Sequence, residues 1–384
     1  MSFTMNFDSK LPEVGTTIFT VMSSLAQKHQ AINLSQGFPD FQPQPKLIEI
    51  AEKSLLKGLH QYAPMAGYLP LREAIAEKTQ KLYGANYHPE TEITITAGAT
   101  QAIFTAIMTF LKPKDEVIVI EPVYDSYVPA ISLCGGVVRV STLDAQNFSL
   151  NWQEIASLIN EKTKVILINT PHNPSGSIWK AEDMQKLEQI VAKKDILVIS
   201  DEVYEHIVFE GHTHQSIALY PNLREKSIIV SSFGKTYHCT GWKVGYVLAP
   251  KELMQEFRKV HQYNVFCVNN IAQMVFAEML QEEELYLSLG KFYEEKRNFF
   301  RYLLQGSRFT LKEVSGTYFQ VLSYEKISNQ SDYDFCVWLT QEIGVAAIPL
   351  SSFYLKPTKE SFIRFCFAKE NLTLEKAAEK LVKV

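Results

Sequence analysis

The chain has 384 residues, 46% of them hydrophobic, with 38 Lys+Arg against 42 Asp+Glu for a net charge of -4. That length suffices for a large buried core in two domains or in one with an appendage, and the near balance of charge excludes nucleic acid and acidic membrane surfaces as natural partners. Five cysteines, Cys134, Cys239, Cys267, Cys336 and Cys366, are scattered without C-x-x-C spacing, which excludes a disulfide framework and a metal site and fits a reducing, cytoplasmic compartment.

At the N-terminus, MSFTMNFDSKLPEVG has no apolar core flanked by basic residues, and nowhere do about 18 apolar residues run together, so neither a leader nor a membrane span is expected. Residues 1–44, with the proline-interrupted QGFPDFQPQPK, read as an arm and connection rather than sheet. From Glu92 the text alternates β-branched runs with helical patterns: EITIT then ATQAIFTAIMTFL, DEVIVIEP, KVILINTP then EDMQKLEQIVAKKD, ILVISDEV and SIIVSS. Such alternation predicts βαβ units. Val165 to Ile168, Ile196 to Ile199 and Ile228 to Val230 are nearly continuous aliphatic runs, as central strands buried on both faces require. The expectation is an α/β protein. Residues 45–285 form a large domain, a mostly parallel central sheet sandwiched by helices. After about Tyr286 a long charged helix, EEKRNFFRYLLQG, precedes short strand-like pieces, TYFQVLSY and SFIRFCF, and a last helix; 286–384 with 1–44 read as a smaller α+β domain.

Ligands of open α/β sheets sit at the carboxyl ends of the strands, where loops and helix N-termini converge. Here the Val165 run leads into Asn169 and the proline-bracketed Asn173, the Ile196 run into Asp201 and Tyr204, and the Ile228 run into Ser232 and Lys235. Gly234-Lys235-Thr236 copies the end of a P-loop, but Ile229 stands where its first glycine belongs, so Lys235 needs another account. EITIT ends in Ala97-Gly98-Ala99-Thr100 at the start of a helix, whose free N–H groups and dipole favour an anion. Phosphate cup, lysine, carboxylate and neutral donors together describe a pyridoxal phosphate site: the lysine bonds to the cofactor aldehyde and the aspartate keeps the pyridine nitrogen protonated.

NLSQGFPDF (33–41), QYAPMAGYLPLR (61–72), TAGATQA (96–102), EPVYDSY (121–127), NTPHNPSG, SDEVYE, SSFGKTYHCTGWKVGY and FIRFCF occur in this order. With them the chain resembles the fold-type I, class I/II pyridoxal-phosphate aminotransferases over essentially its whole length, close to the methionine and kynurenine-glutamine branch. The resemblance implies an aspartate aminotransferase-like fold and a homodimer with shared active sites. It makes Lys235 the cofactor-bonded lysine and proton carrier, Asp201 the pyridinium partner, and Tyr204 with Asn173 the donors to the cofactor's phenolic oxygen. Gly98, Ala99, Thr100, Ser232 and Lys243 match the phosphate-binding positions, with Tyr62 supplied by the neighbouring subunit, and Tyr124 matches the ring stacked on the pyridine. Many members carry arginine where Lys243 stands, which makes this contact a point charge rather than a fork. Arg364, interrupting an apolar strand, binds the substrate α-carboxylate with help from Gly37 and Asn173.

An acidic substrate needs a second cation, yet HQYNVFCVN (261–269), which in the family crosses into the partner's site and contains Phe266, holds no arginine or lysine. A neutral side chain is therefore expected, lined by Phe19 and Phe266. The kynurenine type usually has tryptophan, tyrosine and histidine where this chain has Phe19, Thr100 and Cys267, and the surrounding segments look more like bacterial methionine aminotransferases. The expected reaction is ping-pong transfer of the amino group of methionine, an aromatic or another neutral amino acid to a 2-oxo acid. Carbon–sulfur β-lysis of cysteine conjugates and kynurenine-oxoglutarate or glutamine transamination are the alternatives, since they use the same cofactor residues.

Overall fold

The computed structural model describes residues 8–57, 60–357 and 360–384; the first seven residues of the stretch read for a leader lie outside them. In chain order the strands are β1 (Ile32–Asn33), β2 (Ile93–Thr96), β3 (Glu116–Glu121), β4 (Val137–Thr142), β5 (Thr163–Asn169), β6 (Leu197–Asp201), β7 (Ser227–Ser232), β8 (Gly245–Leu248), β9 (Thr310–Leu311), β10 (Phe319–Ser323), β11 (Val345–Ala346), β12 (Ile348–Pro349) and β13 (Phe362–Cys366).

Seven of them form the central sheet in the order β2-β8-β7-β6-β5-β3-β4. Pairs from β4 through to β7 are parallel, and β8 runs antiparallel to both its neighbours. The aliphatic runs become its middle because each residue buries against one of two cores. Along β5, Val165 and Leu167 face the cluster that contains Ala102, Ile107 and Phe257, while Ile166 and Ile168 face the larger one with Leu187 and Trp179. Burying each such side chain is worth about 1.5–3 kcal/mol. Two sheet strands were not among those expected. β4 is a half-exposed edge, and β8 is four residues long inside a stretch rich in polar motif residues.

Register then gathers the strand ends. Asn169 lies opposite Asp201, Asp201 opposite Val230, and Ser232 opposite Gly245, so the polar residues that follow emerge side by side. The helix Ala99–Phe110 begins directly after β2 on the same edge. Beyond the sheet, the charged helix Leu289–Leu303 and the last helix Asn371–Leu381 pack beside an antiparallel sheet, β12-β13-β10-β9. The N-terminal segment differs from the expected connection: it contains the helix Ile18–Lys28, and β1 pairs in parallel with β11. Two residues of pairing are too few to leave a periodic signal in the sequence.

Candidate active site

The turn after β5 is braced by its first residue. Asn169 Nδ2 donates to the Asp201 carbonyl at 2.9 Å, and its Oδ1 accepts from the Asn173 N–H at 2.8 Å, locking the ends of β5 and β6 together. Asp201 is buried; its carboxylate accepts from the Tyr127 hydroxyl and, at 3.3 Å, from the Val203 N–H. Burial pushes this carboxyl up to about 6, against the opposing pull of Tyr127, Val203 and Lys235. Tyr204 stands edge-on to Tyr318 and Phe319, with centroids 5.2 and 6.0 Å away, and burial holds its phenol protonated.

Lys235 lies on the short turn of helix Phe233–Thr236 that follows β7. Its Nζ donates to the Tyr318 hydroxyl at 2.9 Å and to the Gly37 carbonyl at 3.2 Å. Desolvation lowers its ammonium to about 8; Arg364 and Lys243 push the same way, while Cys366 and Asp201 oppose them. A substantial share of the amine is therefore neutral near physiological pH, as a proton acceptor must be.

At the other end of the site, Gly98 caps the helix Ala99–Phe110 at φ +80, and a Cβ there would stand 3.2 Å from Lys243 Nζ. A Cβ on Gly245 would lie 2.6 Å from the Ser231 carbonyl and 3.1 Å from the Ala99 nitrogen. Both positions demand glycine because backbone and cation close in on one small space. The first N–H groups of that helix have no partner within it, and Ser232, Thr100 and Lys243 border the same space. The donor set suits a phosphate.

Arg364 is buried in β13 and held from three sides. Nη1 donates to Asn173 Oδ1 at 2.6 Å and Nη2 to the Ser35 carbonyl at 3.3 Å, and the guanidinium lies 3.9, 5.3 and 5.4 Å from the ring centroids of Phe319, Phe353 and Phe19. Its Nε is buried without a protein partner. A buried donor without a partner costs roughly 1–3 kcal/mol, which a ligand carboxylate arriving at this guanidinium relieves.

Phe19, Gly37, Gly98, Ala99, Thr100, Tyr124, Asn173, Asp201, Tyr204, Ser232, Lys235, Lys243 and Arg364 all line one cavity of about 320 Å³. Tyr62 and Phe266 do not. They meet edge-to-face at 5.1 Å on the surface, 80% and 57% exposed. Sequence reasoning missed Asn169 and Tyr127, which hold Asp201, and Tyr318, which receives Lys235. It also missed the apolar lining residues Phe38, Ile103 and Phe319. Tyr127 stands inside the EPVYDSY motif, but its contact spans 74 positions and leaves no local signal.

The sequence matches the family Aminotransferase class I and II over residues 29–381. The chain belongs to this family. A methionine aminotransferase of Escherichia coli is 52% identical over 374 residues, covering 97% of both chains. A solved Escherichia coli structure, reported with a methionine aminotransferase function, superposes with a TM-score of 0.97 at 51% identity over 99% of this chain and 100% of that one. A kynurenine–oxoglutarate transaminase of Dictyostelium discoideum is 32% identical, covering all of this chain and 98% of its own. The fold is accordingly that of the aspartate aminotransferase-like enzymes, and the protein is an aminotransferase. For an aminotransferase the cavity is apt: an amine of lowered basicity, a buried guanidinium and a buried carboxyl line one space.

Proposed function

We propose that this aminotransferase uses pyridoxal phosphate to move the amino group of methionine, an aromatic or another neutral amino acid to a 2-oxo acid in a ping-pong cycle. The observation that carries the reading is the presence of Lys235, Asp201 and Arg364 on one cavity that also holds a glycine-walled anion cradle. When bound, the cofactor supplies the electron sink that makes the Cα–H bond of an amino acid acidic.

The residues fit that group. Gly98, Ala99, Thr100, Ser232 and Lys243 would hold the phosphate, Tyr124 would cover the ring, Asp201 would face the pyridine nitrogen, and Tyr204 and Asn173 the phenolic oxygen. A cationic nitrogen next to Asp201 returns its carboxyl to the anion that burial disfavours. Lys235 would hold the aldehyde and would carry the proton of the substrate Cα. Arg364 and the Gly37 backbone fix the α-carboxylate and so aim Cα at that amine.

The side-chain end favours neutral substrates because the cations lining the cavity are Arg364, Lys235 and Lys243, each already assigned, while Phe19, Phe38, Ile103 and Phe319 supply apolar walls. Phe19 and Thr100, two of the three departures from the kynurenine pattern, line this cavity, which supports methionine over kynurenine. Residues 45–285 act as the cofactor-binding domain and 1–44 with 286–384 as the small domain. The enzyme works as a cytoplasmic homodimer in which Tyr62 and Phe266 serve the neighbour's site; five unpaired cysteines and the exposure of both rings support this.

The test is rapid mixing of the cofactor-loaded protein with methionine and no oxo acid, beside Lys235→Ala. Loss of the visible band with one equivalent of oxo acid per site, absent in the variant, is the expected result. Pyruvate and ammonia accumulating from a cysteine conjugate while the band persists would make the enzyme a β-lyase instead.

A further inference from the structure

Lys235 must occupy two places if it anchors a cofactor in one state and carries a proton in the other. The amine sits against two oxygens, the Tyr318 hydroxyl at 2.9 Å and the Gly37 carbonyl at 3.2 Å. Tyr318 in turn donates to that same carbonyl at 2.6 Å. This closes the triangle. A carbonyl only accepts, so with the phenol hydrogen on Gly37 or on the neighbouring Tyr204 hydroxyl the phenol lone pairs are left to receive the Lys235 ammonium. The ring cannot swing away: Tyr318 is fully buried, with Phe319, Tyr204 and Tyr293 packed at centroid distances of 4.9, 5.2 and 5.4 Å. Burial raises the phenol well above its ordinary range, so it stays protonated.

We propose that Tyr318 is a positioning residue for the amine of Lys235, receiving it on release from the cofactor and holding it beside the Gly37 loop in reach of the substrate Cα. The loop is the right side of the site, because it also presents the Ser35 carbonyl to Arg364, the guanidinium assigned to the substrate carboxylate. The inference rests on the reading of Lys235 as the cofactor lysine. Besides Tyr318, the titratable and charged groups facing this amine are Asp201 at the end of β6, Tyr204 after it, Arg364 and Cys366 on β13, and Lys243 before β8. None of these hydrogen-bonds to Nζ, so Tyr318 and the Gly37 carbonyl carry its orientation.

The test compares wild type with Tyr318→Phe, which keeps the packed ring and removes the hydroxyl, both the acceptor for Lys235 and the donor to Gly37. Both are loaded with pyridoxamine phosphate, which leaves the Lys235 amine free, and the acylation of Lys235 is followed against pH by peptide mass spectrometry. A hydrogen bond to a charged donor is lost, so the labelling midpoint is expected to fall by about one pH unit. With methionine, kcat is expected to fall about tenfold in both half-reactions, with KM within about twofold of wild type. Tyr293→Phe is the control: it removes a buried hydroxyl that has no partner and does not touch Lys235, and it should leave midpoint and kcat in place. Equal midpoints and equal kcat in wild type and Tyr318→Phe would overturn the inference, and so would a rise in KM alone, which would make Tyr318 a brace for the Gly37 loop. Failure of the wild type to take up pyridoxal phosphate would overturn the reading of the site itself.

Discussion

Asp201 ends β6 with its carboxylate walled from water, and its titration near 6 rather than in the ordinary carboxylate range near about 3.9 carries an energetic sign. Between those values the native chain keeps a proton that the unfolded chain has lost, so stability falls as pH rises through the window and stays reduced above it. A shift of this size corresponds to roughly 3 kcal/mol at most. In the cofactor-free protein, Asp201→Asn should therefore stabilise by about 2 kcal/mol at about pH 8 and by much less at about pH 4. Asparagine still accepts from Tyr127, so the packing survives. In the loaded enzyme the same change removes the anion facing the pyridine nitrogen, and turnover should drop by orders of magnitude. Urea denaturation at the two pH values, with kcat alongside, checks both halves; a variant less stable at both would mean that the carboxylate bears no charge strain.

Behind the strand ends, one element is pinned to three others by charge. Lys78, on the helix Leu69–Tyr83, reaches Glu205 at 2.7 Å, both side chains being buried. Glu205 also accepts from Tyr83, from Ser231 on β7 and from Tyr246 on β8. Burial opposes its charge, but Lys78 and His206 hold its carboxyl well below the ordinary range. The carboxylate serves four donors and the ammonium mainly one acceptor anion, so the two ends are unequal. Lys78→Met should cost about 3 kcal/mol, because Glu205 keeps three donors, whereas Glu205→Leu should cost about 5 kcal/mol by leaving the buried Lys78 ammonium without its anion and Tyr83 and Ser231 without their acceptor. Chemical denaturation of the two variants tests the order. This network was invisible in the sequence because its hydrogen bonds span 26 to 168 positions. The central strands were legible for the opposite reason: Val165 to Ile168 is one uninterrupted local run facing two cores. The cofactor residues were legible because each directly follows such a run, whereas Tyr127 and Tyr318 act across 74 and 83 positions.

At the scale of the whole molecule, several large side chains stand exposed on the surface. Tyr62, Tyr263 and Leu56 are 80%, 88% and 88% exposed, and Phe266 leans on Tyr62. Exposed side chains of this size are what the proposed dimer would cover. A twofold dimer would carry each copy's Tyr62 to the other's phosphate cradle, so each site would draw Lys235 from one chain and Tyr62 from its partner. Complementation follows from that geometry. Lys235→Ala and Tyr62→Ala homodimers should each be impaired at limiting cofactor, the first by losing the amine and the second by losing a phosphate contact. After the two are mixed and their subunits exchanged, half of the dimers are hybrids, and each hybrid holds one site with both residues intact. Activity should recover to about a quarter of wild type. If Tyr62 served its own chain, the hybrid would have no intact site beyond those of its parents and mixing would restore nothing. A different affinity tag on each variant, with dimers recovered through both tags in turn, establishes that hybrids have formed, so an absence of recovery would place Tyr62 outside the neighbour's site.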